Sequence, residues 1–276
     1  EIVHKVQLTE FQRKLYKAIL DKEVLDKEDD DVESDIALDG RSRIEKAQAM
    51  VMATEKFRKS TFKLHGLQQA CNHPAVVGEV HWPPHIQQMQ GKASRAAKRS
   101  GKLERFLSVM EEILEPPREK VLIFTQYRVT LTLLLETLAE KYPDVEIGTL
   151  HGGMDPQERD ATVQSFQTDP KVCILLCTLG AGGVGLNLTA ASHVIHFDRC
   201  WNPAKEAQAT DRAHRIGQVR TVLVHILTCE GTLEEKIVLA LERKRKLAME
   251  VMGGDLESAN LCSMSVEEIE ECLALS

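Results

Sequence analysis

The chain of 276 residues contains no G-x-x-x-x-G-K-[ST] run, so it has no lysine loop with which to cradle the phosphates of a nucleotide. It has no C-x-x-C pair either: its seven cysteines stand at 71, 173, 177, 200, 229, 262 and 272. That scatter lacks zinc-ligand spacing, and no metal site is expected. An odd number of dispersed thiols fits a reducing compartment, and Cys173 and Cys177 read as small core hydrophobes within one apolar run. No apolar run has the length to cross a bilayer; Val121–Phe124 and Val172–Cys177 are strand-sized. Glu1–Glu10 lacks the basic-then-apolar layout of a leader, so an intracellular setting with no membrane partner is expected. The chain also opens without methionine and reads as a piece of something longer.

Net positive charge is missing too. The total is −7, which at first argues against a nucleic-acid partner. Its distribution is uneven. Asp26–Asp35 holds seven acids against one lysine, whereas Gly91–Arg105 holds six bases against one acid. A globally acidic chain with such a segment can present a basic face locally, although either run alone reads equally well as solvated loop.

What is present falls into two textures. Residues 1–90 read as mostly helical. Thr9 with Gln12 forms a capping box ahead of Phe11, Leu15 and Ile19, a second helical region spans about 42–67, and Asn72-His73-Pro74 breaks it. From about residue 102, apolar runs at 121–124, 145–150, 172–177, 193–197 and 222–227 alternate with helical patterns at 131–141, 156–167 and 203–215. Asp155-Pro156 with Glu158 marks a helix start. This alternation predicts an α/β domain whose parallel sheet is covered on both faces, with ligands at the carboxyl ends of its strands. Thr232 and Glu235 predict a capping box for a long helix to about residue 252, and 265–275 a short final one.

The segment QATDRAHRIGQ (208–218) carries the most chemistry. Arg212 and Arg215 are three apart, so on a continued helix both guanidiniums leave one face. Two forked cations aimed one way suit the charge that spreads over a phosphoryl group in transfer. An isolated R-x-x-R is more often a pair of surface salt bridges, here with acids such as Asp211. This one follows AGGVGLNL (181–188), a glycine-rich stretch directly after an apolar strand, whose backbone amides can approach phosphate or ribose oxygens. The chain thus has arginines for a γ-phosphate without the loop that holds a nucleotide.

VLIFTQY (121–127), LHGGMDPQERDATVQSF (150–166), AGGVGLNLTAASHVIHFDRCWNPAKEAQATDRAHRIGQ (181–218) and GTLEEKI (231–237) stand in the order and spacing of the SWI/SNF-related DNA translocases of helicase superfamily two. The long motif most resembles the HepA-like branch. QACNHPAV (69–76) and RSGKLERF (99–106) resemble the lead-in to that family's second lobe. The resemblance implies a RecA-like parallel sheet with helices on both faces, a mostly helical N-terminal protrusion and a C-terminal helix. Its boundaries are expected at 1–100, 101–230 and 231–276.

By the same resemblance, Arg212 and Arg215 are the arginine fingers, and Gly183, Gly185, Asn187 and Gln218 line the nucleotide side of the cleft. Thr125, Gln126, His151, Gly152, Thr178 and Trp201 lie near the DNA backbone, where hydroxyl, amide and N–H groups position a phosphate without reading sequence. For Trp201, packing against the Asn202-Pro203 turn is an equal reading. His73 is a structural turn residue. Two positions depart from the pattern: Leu179-Gly180 replaces a common leucine-lysine, and Cys200 replaces an aromatic before Trp201.

The implied activity is DNA-dependent ATP hydrolysis by the full-length protein, with ATP and Mg2+ held mainly by a first RecA-like lobe. The implied partners are that lobe, double-stranded DNA, and nucleosomes or other DNA-bound proteins; the implied setting is the nucleus of a eukaryote or the nucleoid of a prokaryote. Two alternatives remain open. One is a strand-separating helicase of the same superfamily, which an unwinding assay distinguishes. The other is a degenerate lobe acting as a binding module, which would not close on a first lobe with nucleotide.

Overall fold

A computed structural model describes residues 1–21, 55–82, 97–181, 186–200, 203–215 and 217–252. The acidic run at 26–35, the predicted final helix, Gly183, Gly185 and Trp201 lie outside them. The chain divides into two compact units. One comprises Glu1–Gln7, Gly101–Cys200 and Lys205–Thr228; the other holds the described residues of Leu8–Ser100, Trp201–Ala204 and Cys229–Ser276.

The first unit is built on a six-stranded sheet. Its strands are β1 (Ile2–Val6), β2 (Val121–Thr125), β3 (Glu146–Leu150), β4 (Val172–Thr178), β5 (His193–His196) and β6 (Leu223–Cys229), in the order β1-β6-β5-β2-β4-β3. The pairs β2/β4, β2/β5, β3/β4 and β5/β6 are parallel, with Thr125 opposite Thr178. The helices between the strands are α3 (Gly101–Leu114), α4 (Arg128–Lys141), α5 (Pro156–Thr168) and α6 (Pro203–Thr210).

Every residue of β2 and β4 is buried, which explains their uninterrupted apolar sequences: a central parallel strand has no solvent side. Leu122 and Phe124 enter one core with Phe166 of α5 and Ala209 of α6, while Val121 and Ile123 point to the opposite face. Phe106 of α3 meets Phe197 edge-on, with centroids 5.4 Å apart. The sheet is therefore covered on both faces, as the alternation predicts. Asp155 caps α5 by accepting the Gln157 N–H at 2.8 Å, with Pro156 at the first position.

β1 departs from the helical reading of the N-terminal region. The first five residues of IVHKV carry no long apolar run, yet their pattern of two buried positions, His4 and Val6, suits an edge strand. His4 stacks on His225 of β6, and the contact lies 221 residues apart in the chain. Only the tertiary partner makes this segment a strand.

In the second unit, α1 (Glu10–Leu20) starts at the predicted capping box: Thr9 accepts the Gln12 N–H, and the Gln12 side chain accepts the Thr9 N–H. The Gln12 amide also donates to the Ala70 and Cys71 carbonyls at the end of α2 (Glu55–Asn72). His73 then accepts the Ala75 N–H at 3.0 Å and caps a short 3₁₀ turn, the structural role expected of it. Leu15, Ile19, Leu64, Leu67, Trp82 and Ile237 form the core here, joined by α7 (Leu233–Met252). At the start of α7 Thr232 Oγ1 accepts from Glu234 N, and the Glu235 carboxylate accepts the Gly231 N–H. Among the described residues, no helix is long and apolar enough to cross a membrane.

Candidate nucleotide and nucleic-acid site

The parallel strands β2, β4, β3 and β5 deliver Thr125, Thr178, His151 and His196 to one edge, because parallel strands all end on the same side. Thr125 is wholly buried. Its hydroxyl donates to Asp198 at 2.5 Å and accepts the Tyr127 N–H, so it is held inside the edge and does not face outward. The other Asp198 oxygen accepts the Gln126 N–H at 2.8 Å, and the Gln126 side chain donates to the Arg199 carbonyl at 2.6 Å. Asp198 is 1% exposed. It thus pins both residues of the Thr125-Gln126 pair, a role that the residue's sequence position after the strand of HFDRC hints at without defining.

Thr178 and His151 differ from Thr125. The Thr178 hydroxyl and His151 Nδ1 are buried and lack a hydrogen-bond partner among the described residues. Burial, then the Arg128 guanidinium, lower the His151 pKa, so the ring is neutral near pH 7. Gly152 beside it is exposed, and the turn closes with Met154 N donating to the His151 carbonyl. Of these groups the Gly152 backbone is the one that is exposed, while the Thr178 hydroxyl and His151 Nδ1 lie beneath the surface.

The arginine pair is placed otherwise than a helix would place it. α6 ends at Thr210, and Arg212 and Arg215 follow on a turn and a bend. The one-face argument therefore does not apply. Past Asp211 the backbone tightens to i→i−3 bonds, Arg212 N donating to the Ala209 carbonyl at 3.2 Å and Ala213 N to that of Thr210 at 3.0 Å. The Arg212 carbonyl accepts the Leu188 N–H at 2.9 Å, the Ala213 carbonyl accepts from the Gln218 side chain at 3.1 Å, and Gly217 at φ 102° completes the exit. Arg212 is buried at 3% exposure, while Arg215 is exposed. Burial, then the neighbouring Arg215 charge, lower the Arg212 pKa, with Asp211 acting the other way. Two like charges held close, one of them desolvated, favour the arrival of an anion.

Asn187 is exposed, one residue before the buried Leu188 that holds Arg212. Two further residues, Glu206 and His196, escape sequence reasoning. Glu206 on α6 pairs with Arg199 at 3.0 Å and accepts the Cys200 N–H at 2.5 Å; burial raises its pKa to about 7. Cys200 is buried, so the position that departs from an aromatic is an interior one. His196 bonds the Thr210 hydroxyl at 2.9 Å at the end of α6. The described residues bring together one set of potential metal ligands, Cys71, Cys229 and Glu234, far from this edge in sequence and fully buried. There the Glu234 carboxylate accepts the Cys229 N–H at 2.8 Å, tying the end of β6 to the start of α7.

Residues 102–217 match the helicase conserved C-terminal domain. A Sulfolobus solfataricus SWI2/SNF2 ATPase C-terminal domain superposes over 99% of this chain and 97% of its own, with TM-score 0.65 and 28% identity. The chain carries a helicase conserved C-terminal domain in the RecA-like fold of SWI2/SNF2 ATPase C-terminal domains. A SWI2/SNF2 ATPase core from the same organism, solved in complex with double-stranded DNA, matches 100% of this chain and 50% of its own at 31% identity and TM-score 0.66. Among curated relatives, a putative ATP-dependent helicase/translocase of Bacillus subtilis is 43% identical over 211 residues, which is 76% of this chain and 21% of the relative. The human lymphoid-specific helicase is 39% identical over 181 residues, 66% of this chain and 21% of the relative. The chain thus spans about a fifth of the length of these relatives.

Proposed function

We propose that this chain is the second motor lobe of an ATP-dependent double-stranded DNA translocase that remodels chromatin or displaces DNA-bound proteins. In this reading Arg212 and Arg215 act as arginine fingers on ATP held by the first RecA-like lobe of the same protein. The observation that carries it is the arginine turn itself. A buried Arg212 sits beside the charge of Arg215, and its backbone is anchored to the segment that follows the glycine-rich stretch. Gly183, Gly185 and Asn187 would line the nucleotide there. Thr178, His151, Gly152, Gln126 and Trp201 would track the DNA backbone, with Thr125 acting from beneath through Asp198. The relative solved with double-stranded DNA supports that choice of nucleic acid. The carboxylates at the edge, Asp198 and Glu206, are buried and already engaged by Thr125, Gln126, Arg199 and Cys200, so the carboxylate oxygens that Mg2+ prefers would come from the first lobe.

In the full-length protein, Arg212→Ala and Arg215→Ala should each lower DNA-stimulated ATP hydrolysis by about 10³-fold. Duplex DNA affinity should stay within about threefold, since neither arginine is placed on the DNA track. This chain alone should show no turnover. Normal hydrolysis in both variants would sink the assignment.

A further inference from the structure

Gln218 is the last residue of the RIGQ run, and family resemblance places it on the nucleotide. Its side chain is occupied otherwise. The amide nitrogen lies 3.0 Å from the Thr189 carbonyl, 2.9 Å from that of Ala191 and 3.1 Å from that of Ala213. Its oxygen accepts the Arg220 N–H at 2.9 Å. A side-chain amide has two N–H donors, and three carbonyls already share them. No donor is left for a phosphate.

The acceptors come from two different stretches of chain. Thr189 and Ala191 lie between the glycine-rich stretch and β5, whereas Ala213 stands between the two arginines. Two more bonds join the same stretches: Leu188 N donates to the Arg212 carbonyl at 2.9 Å, and the Arg220 guanidinium donates to the Ala190 carbonyl. Gln218 supplies the only amide side chain in this set, and the backbone around it has no regular structure to hold it. Gly217 at φ 102° marks where the chain reverses, and Gln218 N closes that turn on the Arg215 carbonyl at 2.9 Å.

We infer that Gln218 is a positioning residue: it ties the Arg212–Arg215 turn to the Leu188–Ala191 segment, so that both arginines are placed by the segment next to the nucleotide and not by α6. This rests on the reading of Arg212 and Arg215 as arginine fingers. It reassigns Gln218 from contact with the nucleotide to control of the groups that act on it.

The test uses the full-length protein. Gln218→Met keeps length and removes every donor and acceptor. It should lower kcat of DNA-stimulated ATP hydrolysis by about tenfold or more, with KM for ATP within about twofold, because the loss falls on the transition state. Combined with Arg212→Ala it should cost no more than Arg212→Ala alone. Gln218→Glu places a carboxylate against three carbonyls, which raises its pKa. Its activity relative to wild type should recover from about pH 8 towards about pH 6, as the protonated acid regains one O–H donor. Amide hydrogen exchange should quicken at Leu188 in either variant, and at Arg220 in Gln218→Met, which loses the acceptor of that N–H, while the amides of β2 and β4 stay slow.

A raised KM with unchanged kcat would make Gln218 a nucleotide contact and overturn the inference, as would unchanged exchange at Leu188. Should Gln218→Met not fold, the pH recovery and exchange of Gln218→Glu decide alone, and absence of both overturns it. Normal hydrolysis by Arg212→Ala and Arg215→Ala would remove the finger assignment, yet exchange at Leu188 would still report the tie.

Discussion

Asp198 shows how one buried carboxylate can organise a strand edge. It is 1% exposed, and burial of a charge is costly unless donors surround it. Thr125 Oγ1 and Gln126 N supply two of them, from the end of a neighbouring strand. The bonds work in both directions: the donors offset the cost of burying the carboxylate, and the carboxylate keeps the Thr125-Gln126 turn from opening. Asp198→Ala should therefore lower stability by about 2–4 kcal/mol, because it strands a buried hydroxyl and a backbone N–H. Asp198→Asn should cost less, since it retains one acceptor oxygen. Urea denaturation of the two variants measures the difference, and a loss under about 1 kcal/mol for alanine would show that the edge holds without this carboxylate.

The edge strand β1 illustrates the same dependence among elements. Ile2 and Val3 are exposed, so it cannot be held by apolar burial on two faces as β2 is. It is held instead by the His4 ring stacked on His225, which stacks in turn on His193 of β5, each at 5.3 Å. Its end passes so close to the start of α3 that a Cβ on Gly101 would sit 2.2 Å from the Gln7 carbonyl oxygen. Gly101→Ala should thus push the strand end off the helix and cost about 1–3 kcal/mol. Gly153→Ala, whose Cβ would first meet a flexible Arg128 nitrogen at 3.4 Å, should stay within about 0.5 kcal/mol. Equal costs in chemical denaturation would refute the close approach. This contrast also explains what was legible in the sequence. β2 and β4 announce themselves because a doubly buried strand must be apolar throughout, and α5 because its cap is local. β1 does not, since its partner His225 is remote. The one-face geometry read for the arginine pair does not hold, because the backbone leaves the α-helical pattern at Arg212 and ties to Leu188 and Gln218, contacts that no local sequence signal announces.

At the scale of the molecule, the buried ionisable groups of the sheet unit set its response to acid. Burial lowers the pKa of His4 and His193, that of His225 to about 4 and that of His196 to about 3. A histidine with a depressed folded pKa is neutral in the fold while the unfolded chain already binds a proton. Its contribution to stability is intact above the unfolded value of about 6.5 and is lost as pH falls towards the folded value. Glu206 has the opposite sign. Its folded pKa of about 7 exceeds the unfolded value, so it favours the fold below about pH 4.5 and loses that advantage as pH rises to about 7. Several histidines oppose one glutamate over the same interval, so the balance falls against the fold on acidification. The denaturant midpoint should drop between about pH 7 and about pH 5, and unfolding near pH 5 should take up protons, measured by calorimetry in buffers of different ionisation enthalpy. Glu206→Gln should steepen that drop by removing a group that resists it. A midpoint that rises on acidification, or proton release on unfolding, would mean that the stacked histidines are already charged within the fold and that burial does not govern them.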